Sequence, residues 1–214
     1  MPGESEQDTE LLERWRSGDD RAGERLFDRH ADAVARFFEN KVREHAEDLT
    51  QTTFMRMIEG RERVHSAFRP YLFGIAQNVL REHLRQLARG RDIDPEVDSM
   101  ATLAPGPSTV VGVREEHRIL LEALRRLPVK HQVLLELFYW EKLKTAEIAE
   151  VLAIPASTLR SRLGVARELL AERLAALSAS PELLASTLHG LDTWAADLRA
   201  QLGPREELKR AKES

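Results

Sequence analysis

Apolar residues recur at three- and four-residue steps along most of this chain, and the strict alternation typical of strands is almost absent. The pattern predicts a first helical domain over residues 9–90 and a second, compact one over residues 114–178. Between them, residues 91–113 hold three prolines, two glycines and no convincing period, which predicts a linker. We therefore expect an all-α protein: two helical domains joined by a flexible linker, followed by a helical C-terminal extension over residues 179–214.

Residues 145–174 have the pattern of a helix-turn-helix. Thr145 can cap the first helix, the turn falls at Ala153 and Ile154, and Pro155 suits the first position of the second helix. The inward stripe of that second helix comprises Leu159, Leu163, Ala166, Leu170 and Leu174. Its opposite face comprises Ser157, Ser161, Gly164 and Glu168, with Arg160, Arg162 and Arg167 at the edges. Small groups flanked by guanidiniums suit a helix in the major groove of DNA. The alternative is the solvated face of an ordinary helical bundle.

A second basic segment lies in the first domain. Residues 61–91 contain seven arginines against two glutamates, which indicates a surface that faces a polyanion. A helix from about residue 70 to 89 has a buried stripe of Leu72, Ala76, Val79, Leu80, Leu84 and Leu87. Its other side presents Gly74, Gln77, Asn78, Arg81 and Arg85, with Tyr71 and Arg89 beside it. Aromatic rings among arginines, here Phe68, Tyr71 and Phe73, suit stacking on single-stranded DNA. Core packing is the competing interpretation for Phe68 and Phe73.

The helix around residues 45–58 carries a mixed outer face. Leu49, Thr53, Phe54, Met57 and Ile58 have inward spacing, which leaves Asp48, Gln51 and Met55 outside. This face is either a docking surface or a solvated one, and spacing alone does not separate the two.

Composition excludes several other classes of protein. There is no cysteine, and no histidine arrangement or glycine-rich loop predicts a metal, a phosphate site or a cofactor. We therefore expect a non-enzymatic protein without cofactors. The chain has no apolar run long enough for a membrane span, and its acidic start is unlike a signal peptide, so we expect a cytoplasmic location. A net charge of −4 means that any DNA affinity comes from local patches or is shared with a larger partner.

These motifs together resemble a bacterial RNA polymerase sigma factor of the extracytoplasmic-function group. Asp48-Leu-Thr-Gln-Thr-Thr-Phe54 is similar to the family's Asp-x-x-Gln-Glu-Thr-Phe signature, and Tyr71-Leu-Phe-Gly-Ile-Ala-Gln-Asn78 is similar to its promoter-opening helix. Leu127-Pro128, Phe138 and the segment from Ile148 to Arg162 resemble its upstream-element domain. The likeness spans roughly residues 9–177 and includes the linker. It implies binding to core RNA polymerase and promoter DNA, followed by melting of the DNA, without catalysis.

The resemblance assigns roles to particular residues. Asp48, Gln51, Thr52 and Met55 would bind polymerase, although Thr52 stands where the family usually has glutamate. The downstream promoter element would be held by Phe68, Tyr71, Gln77, Asn78, Arg81 and Arg85, while residues 60–69 capture an unstacked base. The duplex upstream element would be read by Ser157, Arg160, Ser161 and Arg162. Gly164 and Val165 depart from the family's usual residues, so the promoter sequence stays open.

Two questions stay open at this stage. A leucine seam continues through residues 179–214, and it could regulate the sigma domains, bind a partner or merely cap the core. The candidates for a regulator are an anti-sigma protein and this extension itself. A stand-alone helix-turn-helix regulator is the alternative function, and it would need no docking face at Asp48 and Gln51.

Overall fold

The structure is a computed structural model that describes residues 4–65, 67–90, 94, 98–103 and 115–177. The extension over residues 179–214 and most of the predicted linker lie outside the described residues. The helices are α1 Glu4–Arg16, α2 Asp20–Val42, α3 Ala46–Gly60, α4 Phe68–Ala88, α5 Met100–Leu103, α6 Glu115–Arg125, α7 Val129–Leu135, α8 Thr145–Val151 and α9 Ala156–Leu177. The described parts contain helices and turns and no extended strand, as the apolar period predicts. None of these helices is both long and apolar enough to cross a membrane.

The described residues form two compact units. One is drawn from Met1–His83 and Glu150–Ala153, the other from Leu84–Ala149 and Ile154–Ser214. In the first unit, α2 packs against α1 and α3. Phe37 lies between Phe38 and Phe73, with ring centroids 5.3 and 5.8 Å apart. Burial of such large apolar side chains is the main source of stability in a helical unit of this size.

Helix α1 contacts α2 near both of its ends. Near the start of α1, the buried carboxylate of Asp8 accepts a hydrogen bond from His30 Nε2 at 2.8 Å and one from Arg29 at 2.9 Å. At the other end, the buried Trp15 ring packs directly against Gly23, where a side chain would collide with it. Gly18, at φ +99°, then ends the helix in a backbone conformation that suits glycine.

The second unit is built around α9. Helices α6 and α7 both pack against it, and its five predicted inward residues, from Leu159 to Leu174, are all buried as expected. The chain winds as a π-helix over Glu136–Trp140, directly after α7. Buried Gln132 donates to the buried carboxylate of Glu136 at 2.9 Å, which satisfies one polar pair inside this core.

The structure corrects the expectation that residues 91–113 are linker throughout. Residues 98–103 form a turn and α5, and both Met100 and Leu103 are buried. The carbonyl of Asp98 accepts a hydrogen bond from Val129 N–H at 3.1 Å, so this segment is attached to the start of α7. Four residues are too few for an apolar period to stand out, which is why proline and glycine dominated the sequence pattern.

Helices α8 and α9 form the helix-turn-helix. Glu147 accepts a hydrogen bond from Lys144 N–H at 2.7 Å and so caps the start of α8. The turn contains Ala153 at φ +52°, a left-handed conformation that is uncommon for alanine. Helix α9 begins at Ala156, one residue after the predicted start at Pro155.

Candidate functional site

The outer face of α3 carries the predicted docking residues. Asp48, Gln51 and Met55 are exposed, and Met55 reaches 53 %. Thr52 is half-buried, and its hydroxyl donates to the carbonyl of Asp48 at 2.8 Å. Ile58 is 38 % exposed, so the structure corrects its inward assignment and places it on this face. The face thus combines polar groups with two exposed apolar side chains, a mixture that suits binding to another protein.

A bidentate ion pair at the protein surface links α3 to α4. Arg56 donates to both carboxylate oxygens of Glu82, at 2.9 and 2.7 Å. The hydrogen bond to Glu82 raises the pKa of Arg56. This pair was not anticipated from the sequence, because the two residues lie 26 positions apart on different helices.

Residues 61–65, hereafter the 61–65 loop, begin with a short 3-10 helix over Arg61–Arg63 and connect α3 to the segment before α4. Val64 is buried, while Glu62, Arg63 and His65 are exposed. The guanidinium of Arg16, on α1, donates to the carbonyls of Arg61 and Val64 at distances of 2.7 to 3.0 Å. The sequence pattern includes Arg63 among the seven arginines of residues 61–91, but it singled out neither His65 nor Arg16.

Helix α4 buries two residues that we expected to contact DNA. Phe68 is 2 % exposed and its ring lies 5.4 Å from the ring of His30, so neither face is open to a base. Gln77 is 8 % exposed, and its carbonyl oxygen lies inside the unit. The structure therefore corrects both assignments: these side chains belong to the core. Phe73 is fully buried as well, in agreement with the core interpretation.

The remaining predicted residues of α4 are accessible. Asn78 and Arg85 are exposed, and Arg81 is half-buried. Tyr71 is half-buried, and its hydroxyl donates to the carbonyl oxygen of Gly60 at 3.4 Å. Three of the six positions assigned to the downstream element, Asn78, Arg81 and Arg85, thus form the accessible polar surface of α4, with Tyr71 near its start.

On α9, the predicted reading residues all reach solvent. Ser157, Arg160, Ser161 and Arg162 are exposed, and the hydroxyl of Ser161 donates to the carbonyl of Thr158 at 2.9 Å. Val165, one turn further along, is 46 % exposed, an apolar group on an otherwise polar face. This face is therefore open, with no described side chain packed over it.

Arg167 has a structural partner. Its Nε donates to the hydroxyl of Tyr139 at 2.7 Å, and its guanidinium lies 5.4 Å from the ring centre of Phe138. An arginine held between aromatic groups in this way is not free to follow a phosphate, unlike the guanidiniums of Arg160 and Arg162.

Positive charge gathers where α7 approaches α9. Burial, together with the charges of Lys130 and Arg162, lowers the pKa of His131. The neutral imidazole is favoured next to these cations, and a bound phosphate would oppose that effect.

Two family models match the chain. The model for Sigma-70 region 2 matches residues 26–90, and the model for Sigma-70 region 4 matches residues 117–170. The first match covers α3, the 61–65 loop and α4, and the second covers α8 and the first fifteen residues of α9. The two matches therefore include every predicted site residue.

Similar proteins of known function agree with these matches. RNA polymerase sigma factor CarQ of Myxococcus xanthus is 35% identical over 170 residues, which cover 75% of this chain and 96% of CarQ. The RNA polymerase sigma-H factor of Pseudomonas aeruginosa is 31% identical over 179 residues, 76% of this chain and 91% of that protein. The ECF RNA polymerase sigma factor SigL of Mycobacterium tuberculosis is 28% identical over 143 residues, 64% of this chain and 80% of SigL.

Solved structures show the same fold. CnrH, in complex with the cytosolic domain of CnrY, aligns with a TM-score of 0.57 at 22% identity and covers 80% of this chain and 99% of that one. The sigma factor RpoE, in complex with the anti-sigma factor NepR from Bartonella quintana, aligns with a TM-score of 0.54 at 20% identity, with 71% and 96% covered. The comparisons support a promoter-directing factor and not a stand-alone regulator. The chain belongs to the sigma-70 family of RNA polymerase sigma factors, in its extracytoplasmic-function group.

Proposed function

We propose that three surfaces of this sigma factor divide the work of transcription initiation. The outer face of α3 binds core RNA polymerase, the 61–65 loop with α4 holds the downstream promoter element, and α9 reads the upstream element. The observation that carries the proposal is the exposure pattern. The apolar stripe is buried throughout α9 and, apart from the half-buried Leu87, throughout α4, and α3 buries Thr53 and Met57, while most of the candidate contact residues stay accessible. The matched family regions 2 and 4 fall within the two domains expected from the sequence, residues 9–90 and 114–178.

Docking on polymerase uses Asp48, Gln51, Thr52 and Met55, to which the structure adds Ile58. Exposed apolar side chains beside polar groups on one face are typical of a protein interface. The ion pair between Arg56 and Glu82 links this face to α4 at the protein surface. The face proposed for polymerase and the helix proposed for DNA are thus neighbours.

Downstream DNA is held by the accessible polar surface of α4. Arg81 and Arg85 neutralise phosphates, and Asn78 can donate to and accept from a base edge. Tyr71 and the 61–65 loop lie at one end of this surface. Because Phe68 is buried, capture of an unstacked base falls to the exposed Arg63 and His65, whose planar groups can stack on it.

Upstream DNA is read by α9 in the major groove. Arg160 and Arg162 point away from the helix core on either side of Ser161. A bidentate arginine–guanine contact contributes roughly 1–3 kcal/mol of discrimination against the wrong base pair.

Paired substitutions test this division of labour. Asp48→Ala with Gln51→Ala should weaken binding to core polymerase, measured by fluorescence titration, and leave upstream DNA contacts unchanged. Arg160→Ala and Arg162→Ala should do the reverse in run-off transcription on promoters with mutated upstream elements. As a matched control, Arg173→Ala removes an arginine from the far end of α9 and should affect neither. Equal loss of polymerase affinity in both sets would contradict the assignment.

For regulation, we propose an anti-sigma protein as the first candidate, since RpoE, a structural neighbour, was solved with an anti-sigma factor. The extension over residues 179–214 is the other candidate. Run-off transcription by the full chain and by a form ending at Ser178 separates them. Unchanged activity per folded molecule favours a separate protein, and increased activity assigns inhibition to the extension.

A further inference from the structure

Arg16 contacts the backbone of the 61–65 loop from a different helix. Its Nε and Nη2 donate to the carbonyl of Arg61 at 3.0 and 2.8 Å, and Nη2 also donates to the carbonyl of Val64 at 2.7 Å. The side chain is only 27 % exposed. Hydrogen bonds from a charged donor are about twice as strong as neutral ones, so this contact fixes the direction of two peptide groups.

Further contacts hold the same loop. The guanidinium of Arg61 lies 5.3 Å from the ring of Trp15, the neighbour of Arg16 on α1. At the start of the loop, Tyr71 donates to the carbonyl of Gly60. Three carbonyls over five residues are thus occupied by side chains from α1 and α4, while Arg63 and His65 point into solvent.

Helix α1 is held against α2 by contacts of its own, so the position of Arg16 does not depend on the loop. Trp15 is 4 % exposed against α2, and Asp8 is bound to Arg29 and His30. Arg16 therefore reaches the loop from a fixed position and does not simply follow it. Helix α1 also lies outside residues 26–90, the segment that the region 2 model matches.

We infer that Arg16 is a positioning residue for the 61–65 loop and that it sets the loop's preference for the unstacked base of the promoter. The inference rests on the proposed role of this loop in base capture. Selection of one base needs hydrogen-bond donors and acceptors placed within a fraction of an ångström. The loop backbone that places them is held by the hydrogen bonds from the Arg16 guanidinium. Arg16 itself touches no DNA.

The test uses holoenzyme reconstituted from core polymerase and the full chain. A promoter is first selected by the wild-type holoenzyme from a randomised library. Forked DNA of that sequence is then prepared with each of the four bases at every downstream-element position, and the affinity ratio between best and worst base is measured. Arg16→Ala should reduce this ratio by about tenfold, equivalent to ~1.4 kcal/mol, with polymerase affinity unchanged.

Two further variants separate positioning from other roles. Arg14→Ala is the matched control: it lies on the same helix but pairs with Asp19 at the surface, so the ratio should stay at the wild-type value. Arg16→Lys keeps the charge but cannot bridge two carbonyls with a rigid fork, so it should restore less than half of the lost ratio. Full rescue by lysine would show that Arg16 acts only through its charge, beside Glu62 or near a phosphate, and would overturn the inference.

Stability is measured in parallel. If Arg16→Ala lowers the melting temperature so far that little holoenzyme forms, Arg16→Met, which keeps the aliphatic stem packed, takes its place. A loss of affinity that is equal for all four bases, in either variant, would indicate a merely structural role and contradict positioning.

Arg63→Ala and His65→Ala separate the role of the loop from the role of Arg16. If neither changes the base ratio, the proposed function of the loop fails. If either changes it while Arg16→Ala does not, the loop assignment stands and only the role of Arg16 is refuted.

Discussion

At the scale of single residues, two glycines illustrate how packing decides the effect of one methyl group. A Cβ at Gly23 would lie 2.7 to 2.8 Å from three atoms of the Trp15 ring, whereas a Cβ at Gly74 would meet nothing within 4 Å. Both glycines lie inside helices, where alanine is favoured by about 1 kcal/mol. Overpacking a rigid ring costs about 1–3 kcal/mol, which exceeds that gain.

We therefore expect Gly23→Ala to lower the free energy of unfolding, by up to ~2 kcal/mol, and Gly74→Ala to raise it by up to ~1 kcal/mol. Urea denaturation of the two variants beside the wild-type protein measures both. Stabilisation by Gly23→Ala would mean that Trp15 can move away and that the α1–α2 contact is looser than described.

Two histidines make stability depend on pH. Burial and the neighbouring His45 lower the pKa of His83, and burial with Lys130 and Arg162 lowers the pKa of His131, in each case from 6.5. Below pH 6.5 the unfolded chain binds protons that the folded chain does not bind. The stabilisation is thus complete above pH 6.5 and is lost as the pH falls below it.

We expect the urea concentration at the unfolding midpoint of the wild-type protein to decrease as the pH is lowered from 7 to 5.5. A double variant, His83→Gln with His131→Gln, should show a smaller decrease over the same range. An unchanged slope in that variant would assign the pH dependence to other groups.

At the scale of elements, α5 shows that a segment expected to be a tether contributes to a core. Met100 and Leu103 are buried, and truncating a buried methionine to alanine typically costs 2–5 kcal/mol. Met100→Ala should thus destabilise the protein by about 2 kcal/mol or more, measured by thermal unfolding. Thr102→Ala, on the exposed side of the same turn, should cost less than about 1 kcal/mol. Similar losses in both variants would contradict a packed α5.

Long periodic helices could be predicted from the sequence, and contacts between helices could not. The inward stripe of α9 was predicted residue by residue because 22 residues give several full turns of the pattern. Phe68 and Gln77 were assigned outward because an aromatic or an amide near a helix face has no fixed preference for burial. The contacts of Arg16 with the 61–65 loop depend on tertiary packing across 45 positions, which no local pattern encodes.

At the scale of the whole molecule, charge is unevenly distributed. The chain carries −4 overall, whereas residues 61–91 hold five more arginines than glutamates. Phosphate contacts release counterions and make DNA binding fall steeply with salt, and a net negative charge opposes that binding at long range. On the proposed division of labour, the arginines therefore need polymerase to hold the DNA nearby.

We expect the free chain to bind promoter duplex weakly at about 150 mM salt, and the holoenzyme to bind it at least a hundredfold more tightly. Fluorescence anisotropy with a labelled promoter fragment measures both, and a scrambled fragment serves as control. Tight, sequence-specific binding by the free chain would show that its local patches overcome the overall charge.

The buried pair of Asp8 and His30 has a practical consequence. Because a carboxylate can only accept, His30 Nε2 carries the proton between them, and burial shields that proton from water. Slow solvent exchange should make it visible as a separate downfield resonance in a proton NMR spectrum. That single line would report, without any label, whether the first helix stays docked while polymerase, DNA or a regulator is added.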